Sequence, residues 1–336
     1  MHRTIVFLLL AWVASTGLFA QDAVFSQFYA SPLQLNPAFT GVSAAPRITL
    51  NYRSQHTAYP SAYRTFAASY EQPVAKSPSN FGFRLLTDSQ LEGLYKTSQA
   101  AFVYAYDVRL SDAFHARIGL SAGILDSRID YNGLVFGDVI DPREGAGGVS
   151  QEQLEAASKT SVDLGTGILL YGGNLYGGLS VEHLNRPDEG LLAVDDNLYA
   201  GRPQRLSVHG GAQIELKRYS NPRRPAYVTP NALFTSQASF QQLNLGAYFG
   251  YGAFAVGGWY RHAFGNADGF IAAVTFREEI LRIGLSYDSV VSSLRGVPGG
   301  LGATFELSFT VDFGDSRELQ RRRHADRYND CLGMFR

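Results

Sequence analysis

The chain has 336 residues, with 29 Lys and Arg against 30 Asp and Glu, so its formal net charge is −1. That balance offers no basic field to nucleic acid, and the aromatics do not sit among the Lys/Arg clusters that a single-strand binder needs. Charged residues make up only 18% of the chain while 22 Phe and 19 Tyr are present, a composition that fits a protein partly solvated by lipid.

Residues 1–20 open with Met1-His2-Arg3, continue through an apolar stretch from Thr4 to Trp12, and end in Leu18-Phe19-Ala20 before the polar Gln21-Asp22. This pattern is that of a secretory signal peptide cleaved near Ala20. Beyond it the chain holds no apolar run of the ~18 residues that a membrane-spanning helix requires. The single cysteine, Cys331, rules out an intramolecular disulfide, and the lack of a cysteine near the cleavage site argues against a lipoprotein.

Residues 21–46 fit neither a strand nor a long helix. Pro32, the pair Asn36-Pro37 and Gly41 fix turns, while Phe25, Phe28, Tyr29, Leu33 and Phe39 call for burial. The segment is expected to pack into or across the mouth of a larger structure.

From Arg47 the pattern changes. Ile48, Leu50 and Tyr52 share one face, and Arg47, Thr49, Asn51 and Arg53 share the other, a period of two that means strand. The same alternation begins again near Thr65, Asn80, Ser98, Phe114, Val162, Asn174, Arg205, Tyr227, Gln241, Phe254, Gly269, Leu281 and Gly302. The expected fold class is therefore all-β: a transmembrane antiparallel β-barrel of about 14 strands over residues 47–313, followed by a basic periplasmic tail over residues 314–336. Connections roughly alternate between short turns (Gly172–Gly173, Tyr251–Ala253) and long outer loops (Asp126–Thr160, Asn185–Gln204), as a barrel with both ends in the periplasm requires.

A Lys or Arg facing lipid at mid-depth costs roughly 2–4 kcal/mol, so the charged face must line the lumen. This turns Arg53, Arg84, Arg117, Asp163, Glu182, Arg205, Arg261, Arg282 and Glu306 inward and puts Glu71 and Asp288 near the rims. The mixed signs suit either an ion-paired filling or the wall of a water-filled pore. A soluble sandwich would also alternate, but would not present so many Phe, Tyr and Leu outward.

Gly119-Leu120-Ser121-Ala122-Gly123 has the G-x-S-x-G spacing of a nucleophile elbow. It lies inside a continuous strand, however, where small residues form a lumenal stripe; a hydrolase would need His115 to converge with Ser121. The histidines show no metal-ligand spacing. Asp138–Gly145 has three carboxylates but lacks the pattern of an EF-hand loop, and Ser150–Ala157 reads as a short capped helix. No cofactor, metal or catalytic residue is expected. The tail carries Arg317, Arg321, Arg322, Arg323 and Arg327, either as a solvated end or as a contact for a periplasmic protein.

The N-terminal stretch, Phe25-Ser26-Gln27-Phe28-Tyr29 followed by Asn36-Pro37-Ala38 and Gly41, resembles the signature of the PorP/SprF family of type IX secretion system membrane proteins. The second family element is matched by Tyr52-Arg53-Ser54-Gln55-His56, with Tyr52, Arg53 and Gln55 at the family positions, and the likeness runs on through Asp163-Leu164-Gly165 and Gly257-Gly258-Trp259-Tyr260-Arg261. Departures occur at Phe305-Glu306, where the family often has His-Glu, and at Leu332, where proline commonly follows the cysteine. The resemblance implies a non-enzymatic outer-membrane barrel in Bacteroidota. Its partners would be type IX secretion components or a secreted adhesin or cargo protein, with gliding motility as one branch of the family. It gives the signature residues a packing or partner role. A passive porin or substrate channel is the alternative reading.

Overall fold

A computed structural model describes residues 21–43, 45–58, 63–74, 77–131, 139–141, 145–146, 157–191, 201–216, 226–264, 269–278, 280–291, 302–313 and 332. Fourteen antiparallel strands form a closed barrel. They are β1 (Arg47–Gln55), β2 (Tyr63–Pro73), β3 (Ser79–Gln90), β4 (Tyr95–Arg109), β5 (Phe114–Ile129), β6 (Ala157–Gly172), β7 (Leu175–Glu182), β8 (Arg205–Ala212, resumed in register at Ile214–Glu215), β9 (Ala226–Gln237), β10 (Phe240–Tyr251), β11 (Phe254–Ala263), β12 (Gly269–Glu278), β13 (Leu281–Val290) and β14 (Thr304–Asp312). Each pairs with its sequence neighbours, and closure comes from β1 on β14, with Arg47 opposite Asp312 and Ser54 opposite Phe305. Closure leaves no sheet edge, which is what lets strands cross a bilayer with every ladder bond made.

The alternation sorts faces as the sequence predicts. Leu50, Phe66, Phe83, Phe102, Leu120, Leu170, Phe270 and Phe305 point outward and stay exposed, forming an apolar belt with the chemistry of a lipid-facing surface. No helix among the described residues is long and apolar enough to cross a membrane. Arg53, Arg84, Arg117, Asp163, Glu182 and Glu306 are buried on the inner face, and so are Glu71 and Asp288, which stand near strand ends opposite Arg47 and Thr304.

Some strands run farther than their apolar pattern. β5 and β6 extend to pair Ile129 with Ala157, and Asp126 with Thr160, inside the stretch expected to be loop. Above the lipid zone both faces are polar, so the ladder continues where the alternation has ended. The helix expected from Ser150 falls on residues 150–156, outside those described, and its last residue, Ala157, instead opens β6. In the acidic loop Ile140–Asp141 pairs with Gly145–Ala146; residues 142–144 lie outside the described set, as do the basic link at 217–225 and all of the tail except Leu332.

Candidate functional site: a lumen filled by the N-terminal segment

The interior of the barrel is occupied by residues 22–43. From Phe25 to Ser43 every residue is buried except the half-buried Gln34. The segment folds as three short turns: a 3-10 turn at Phe28–Ala30, one helical turn at Pro32–Leu35 and a second 3-10 turn at Pro37–Phe39. Pro32 and Pro37 each stand at a first helical position, where the fixed φ suits a turn and no N–H is missed. Asn36 caps the last turn, its Oδ1 accepting from Ala38 N at 2.8 Å, and Gly41 ends the run at φ +73°, a left-handed conformation that favours glycine.

The segment runs the length of the lumen. Asp22 lies among His183, Arg202 and Arg205 at the long-loop end, and Gly41 donates its N–H to Glu71 at 2.6 Å toward the short-turn end. Between these points lumenal charges bind its backbone. Glu306 accepts from the consecutive N–H groups of Ser26 and Gln27 at 2.7 and 2.8 Å. Arg84 donates to the carbonyl of Leu33 at 2.8 Å while paired with Glu182, and Arg117 donates to the carbonyls of Ala38 and Thr40. Asn51 reaches the carbonyl of Ala30 at 3.0 Å, Ser180 that of Leu35 at 2.7 Å and Arg205 that of Gln34 at 3.1 Å. A segment without a sheet of its own thus has its buried carbonyls satisfied by the barrel wall.

Apolar packing completes the fit. Phe28, Tyr29, Leu33, Leu35 and Phe39 join Leu169, Tyr176, Leu233, Tyr248, Trp259 and Ile271 of the wall in one buried cluster, each such side chain contributing roughly 1.5–3 kcal/mol. Tyr29 stacks on Trp259 with ring centroids 5.5 Å apart and meets Tyr248 edge-on at 4.5 Å. Where the segment approaches the wall most closely the wall carries glycine. A Cβ on Gly119 would lie 2.2 Å from Ala38 N, and one on Gly167 would lie 2.0 Å from Asn36 Oδ1.

Further lumenal charges pair with one another. Arg47 bridges Glu71 at 3.4 Å and Asp312 at 2.5 Å, Arg53 meets Glu306 at 3.5 Å, and Arg261 holds Asp288, which also accepts from the Ser26 hydroxyl at 3.0 Å. The lumen is therefore an ion-paired filling. At the long-loop end His183 sits between Asp22 and Asp163, at 2.8 and 2.9 Å. Burial alone would lower its pKa, but the two carboxylates outweigh burial and push it up to about 9. Burial would likewise raise Asp22, yet Arg202, His183 and Arg205 hold its carboxyl well below the usual range.

The sequence-predicted signature residues separate into two groups. Phe25, Ser26, Gln27, Phe28, Tyr29, Asn36, Pro37, Ala38 and Gly41 all lie within the filling, and Arg53 joins them through Glu306. Tyr52, by contrast, points outward and is 42% exposed, and Gln55 bonds its neighbour His56 at 2.9 Å. Ser121 faces Arg84 Nη2 at 3.4 Å, whereas His115, six residues down the same strand, is held by Asp107 at 2.9 Å; the two do not converge. Among the described residues no group of three or more His, Cys, Asp or Glu could hold a metal ion. Sequence reasoning missed the wall residues that bind the segment, Asn51, Ser180 and His209 among them. Nothing in a strand's alternation tells a lumenal residue facing water from one facing another part of the chain.

These features define a transmembrane β-barrel closed by its own N-terminal segment. The chain belongs to the family described as type IX secretion system membrane protein PorP/SprF, whose model matches residues 18–311. No curated protein matches it. Among solved structures it is similar to the toluene transporter TbuX of Ralstonia pickettii (9% identity, TM-score 0.48) and to the CymD monoaromatic hydrocarbon channel (12%, 0.49), covering in each case 85% of this chain and 94% of that one. A FadL homologue of Pseudomonas aeruginosa is similar at 13% identity and TM-score 0.43 over the same shares.

Proposed function

We propose that this protein is a non-enzymatic docking component of type IX secretion in the outer membrane, exported by a signal peptide cleaved near Ala20, that binds protein partners through its loops and periplasmic face instead of passing solutes. The observation that carries this reading is the occupied lumen. Residues 25–43 are anchored by buried charges that a water-filled pore would leave solvated. With diffusion through the lumen opposed, the surfaces left for function are the two ends of the barrel. Family membership supplies the machine to which those ends connect. The partner is a secreted adhesin or cargo protein, or a periplasmic component of the machine, and gliding is the process served where the cargo is a motility adhesin.

Deletion of the gene, followed by proteomics of the surface and medium, tests the proposal. Loss of type IX cargo from the surface is the expected result; unchanged secretion and motility would overturn it. Capture of the tagged barrel from outer membranes should bring down cargo or machine components, and their absence would count in favour of the porin reading.

A further inference from the structure

Among the described residues the outward faces of the strands carry three Lys or Arg side chains, Arg64 on β2, Lys96 on β4 and Arg128 on β5, and all three are exposed. The pairing register sets them on one row across the wall, toward the long-loop end. Arg64 stands opposite Ser89, Ser89 opposite Lys96, Lys96 opposite Arg128 and Arg128 opposite Ser158. Within the described residues none of the three side chains has an ion-pair or hydrogen-bond partner, whereas the lumenal Arg47 and Arg84 are paired. Lys96 and Arg128 face each other directly, where the Cβ atoms of an antiparallel pair are about 4.5–5.5 Å apart and like charges repel. An anion held between them replaces that repulsion with two charge-assisted hydrogen bonds.

The rows beneath grade into the chemistry of hydrocarbon. Thr87, Ser98, Asp126 and Thr160 form the first, and Asp126 accepts from Thr160 Oγ1 at 2.7 Å; neither it nor Glu92 of the adjoining turn pairs with the three cations. Leu85, Ala100, Ile124 and Val162 form the second, in which Leu85, Ile124 and Val162 are exposed. Four residues along a strand cover about 13 Å, the tilt of barrel strands shortens that step along the membrane normal, and long basic side chains lean toward such a boundary. The cations therefore stand at headgroup level above a lipid-facing surface.

We propose that Arg64, Lys96 and Arg128 form a binding site on the outer wall of the barrel for the phosphate headgroup of a lipid in the adjoining leaflet, whose acyl chains lie along Leu85, Ile124 and Val162. The bound lipid neutralises the row and marks the arc of wall from β2 to β6, from which the long β5–β6 connection leaves.

Native mass spectrometry of the full-length protein in nonionic detergent tests the site, with diphosphoryl lipid A and the same lipid A stripped of its phosphates as probes. The phosphorylated form should be retained at least tenfold more than the stripped form. R64Q/K96Q/R128Q should abolish that preference, and K96Q alone should lower it severalfold, with strand content by circular dichroism showing that each variant is folded. R109Q, which removes an exposed cation at the short-turn end, should leave the preference unchanged. Equal retention of both probes, or an unchanged preference in both K96Q and the triple variant, would overturn the proposal and leave the row to an acidic protein surface. Displacement of the lipid by an equimolar amount of inorganic phosphate would overturn it as well, because the row would then hold the free ion.

Discussion

Gly119 on β5 stands so close to Ala38 of the filling that a Cβ at Gly119 would lie 2.2 Å from the Ala38 backbone nitrogen. Neither partner can give way easily. Ala38 is fixed by the Asn36 cap, and its carbonyl is held by Arg117 at 3.1 Å, while Gly119 is locked into ladders with Ala105 and Gly167.

Gly119→Val is therefore expected to displace the filling while leaving the barrel strand intact, because valine suits a strand. Overpacking of this kind costs about 1–3 kcal/mol. The variant should fold in lipid with unchanged strand content, unfold at lower denaturant concentration, and expose residues 25–43 to protease. Full protection of the segment would count against the contact.

The meaning of this glycine was only half legible in the sequence. The alternation at Leu120, Ala122 and Ile124 located the strand and its faces, and the lipid cost of charge turned Arg84, Arg117 and Glu306 inward. Burial of Phe28, Tyr29 and Phe39 could be foreseen from their chemistry and the prolines around them. What they pack against could not, because contacts such as Ser26 to Glu306, separated by 280 residues, leave no periodic trace. For the same reason the bonds that Glu71 and Asp288, near their strand ends, make to Gly41 and Ser26 are invisible in the alternation.

Arg84 and Glu182 form a buried pair across the lumen, with side chains 2% and 1% exposed. Removing one member should leave an uncompensated charge and cost about 3–5 kcal/mol. Arg84→Met is expected to be strongly destabilising, and Arg84→Met/Glu182→Gln should recover much of the loss. Equilibrium unfolding in lipid vesicles measures both. Additive losses would show that the pair does not act as a unit.

The outer anchor of the filling should depend on pH. His183 has a folded pKa of about 9, above its ordinary value of about 6.5, so its contribution is complete below about 6.5 and is lost as pH rises toward 9. The shift corresponds to about 3 kcal/mol. Asp22, whose carboxyl is held low, contributes above the usual carboxylate range and loses that contribution as pH falls through its depressed value. Hydrogen exchange of residues 22–27, corrected for the intrinsic rate, should accelerate between pH 7 and 10, and His183→Gln should flatten this dependence. An unchanged profile in the variant would place the titration elsewhere.

Occupation of the lumen is most directly tested by single-channel recording in planar bilayers, comparing the full-length barrel with a variant lacking residues 22–41. The full-length protein should show no stable conductance steps, and the deletion variant should show them, because removing the filling leaves a 14-strand lumen wide enough for water. Equal, steady conductance from both proteins would contradict a barrel closed by its own N-terminal segment.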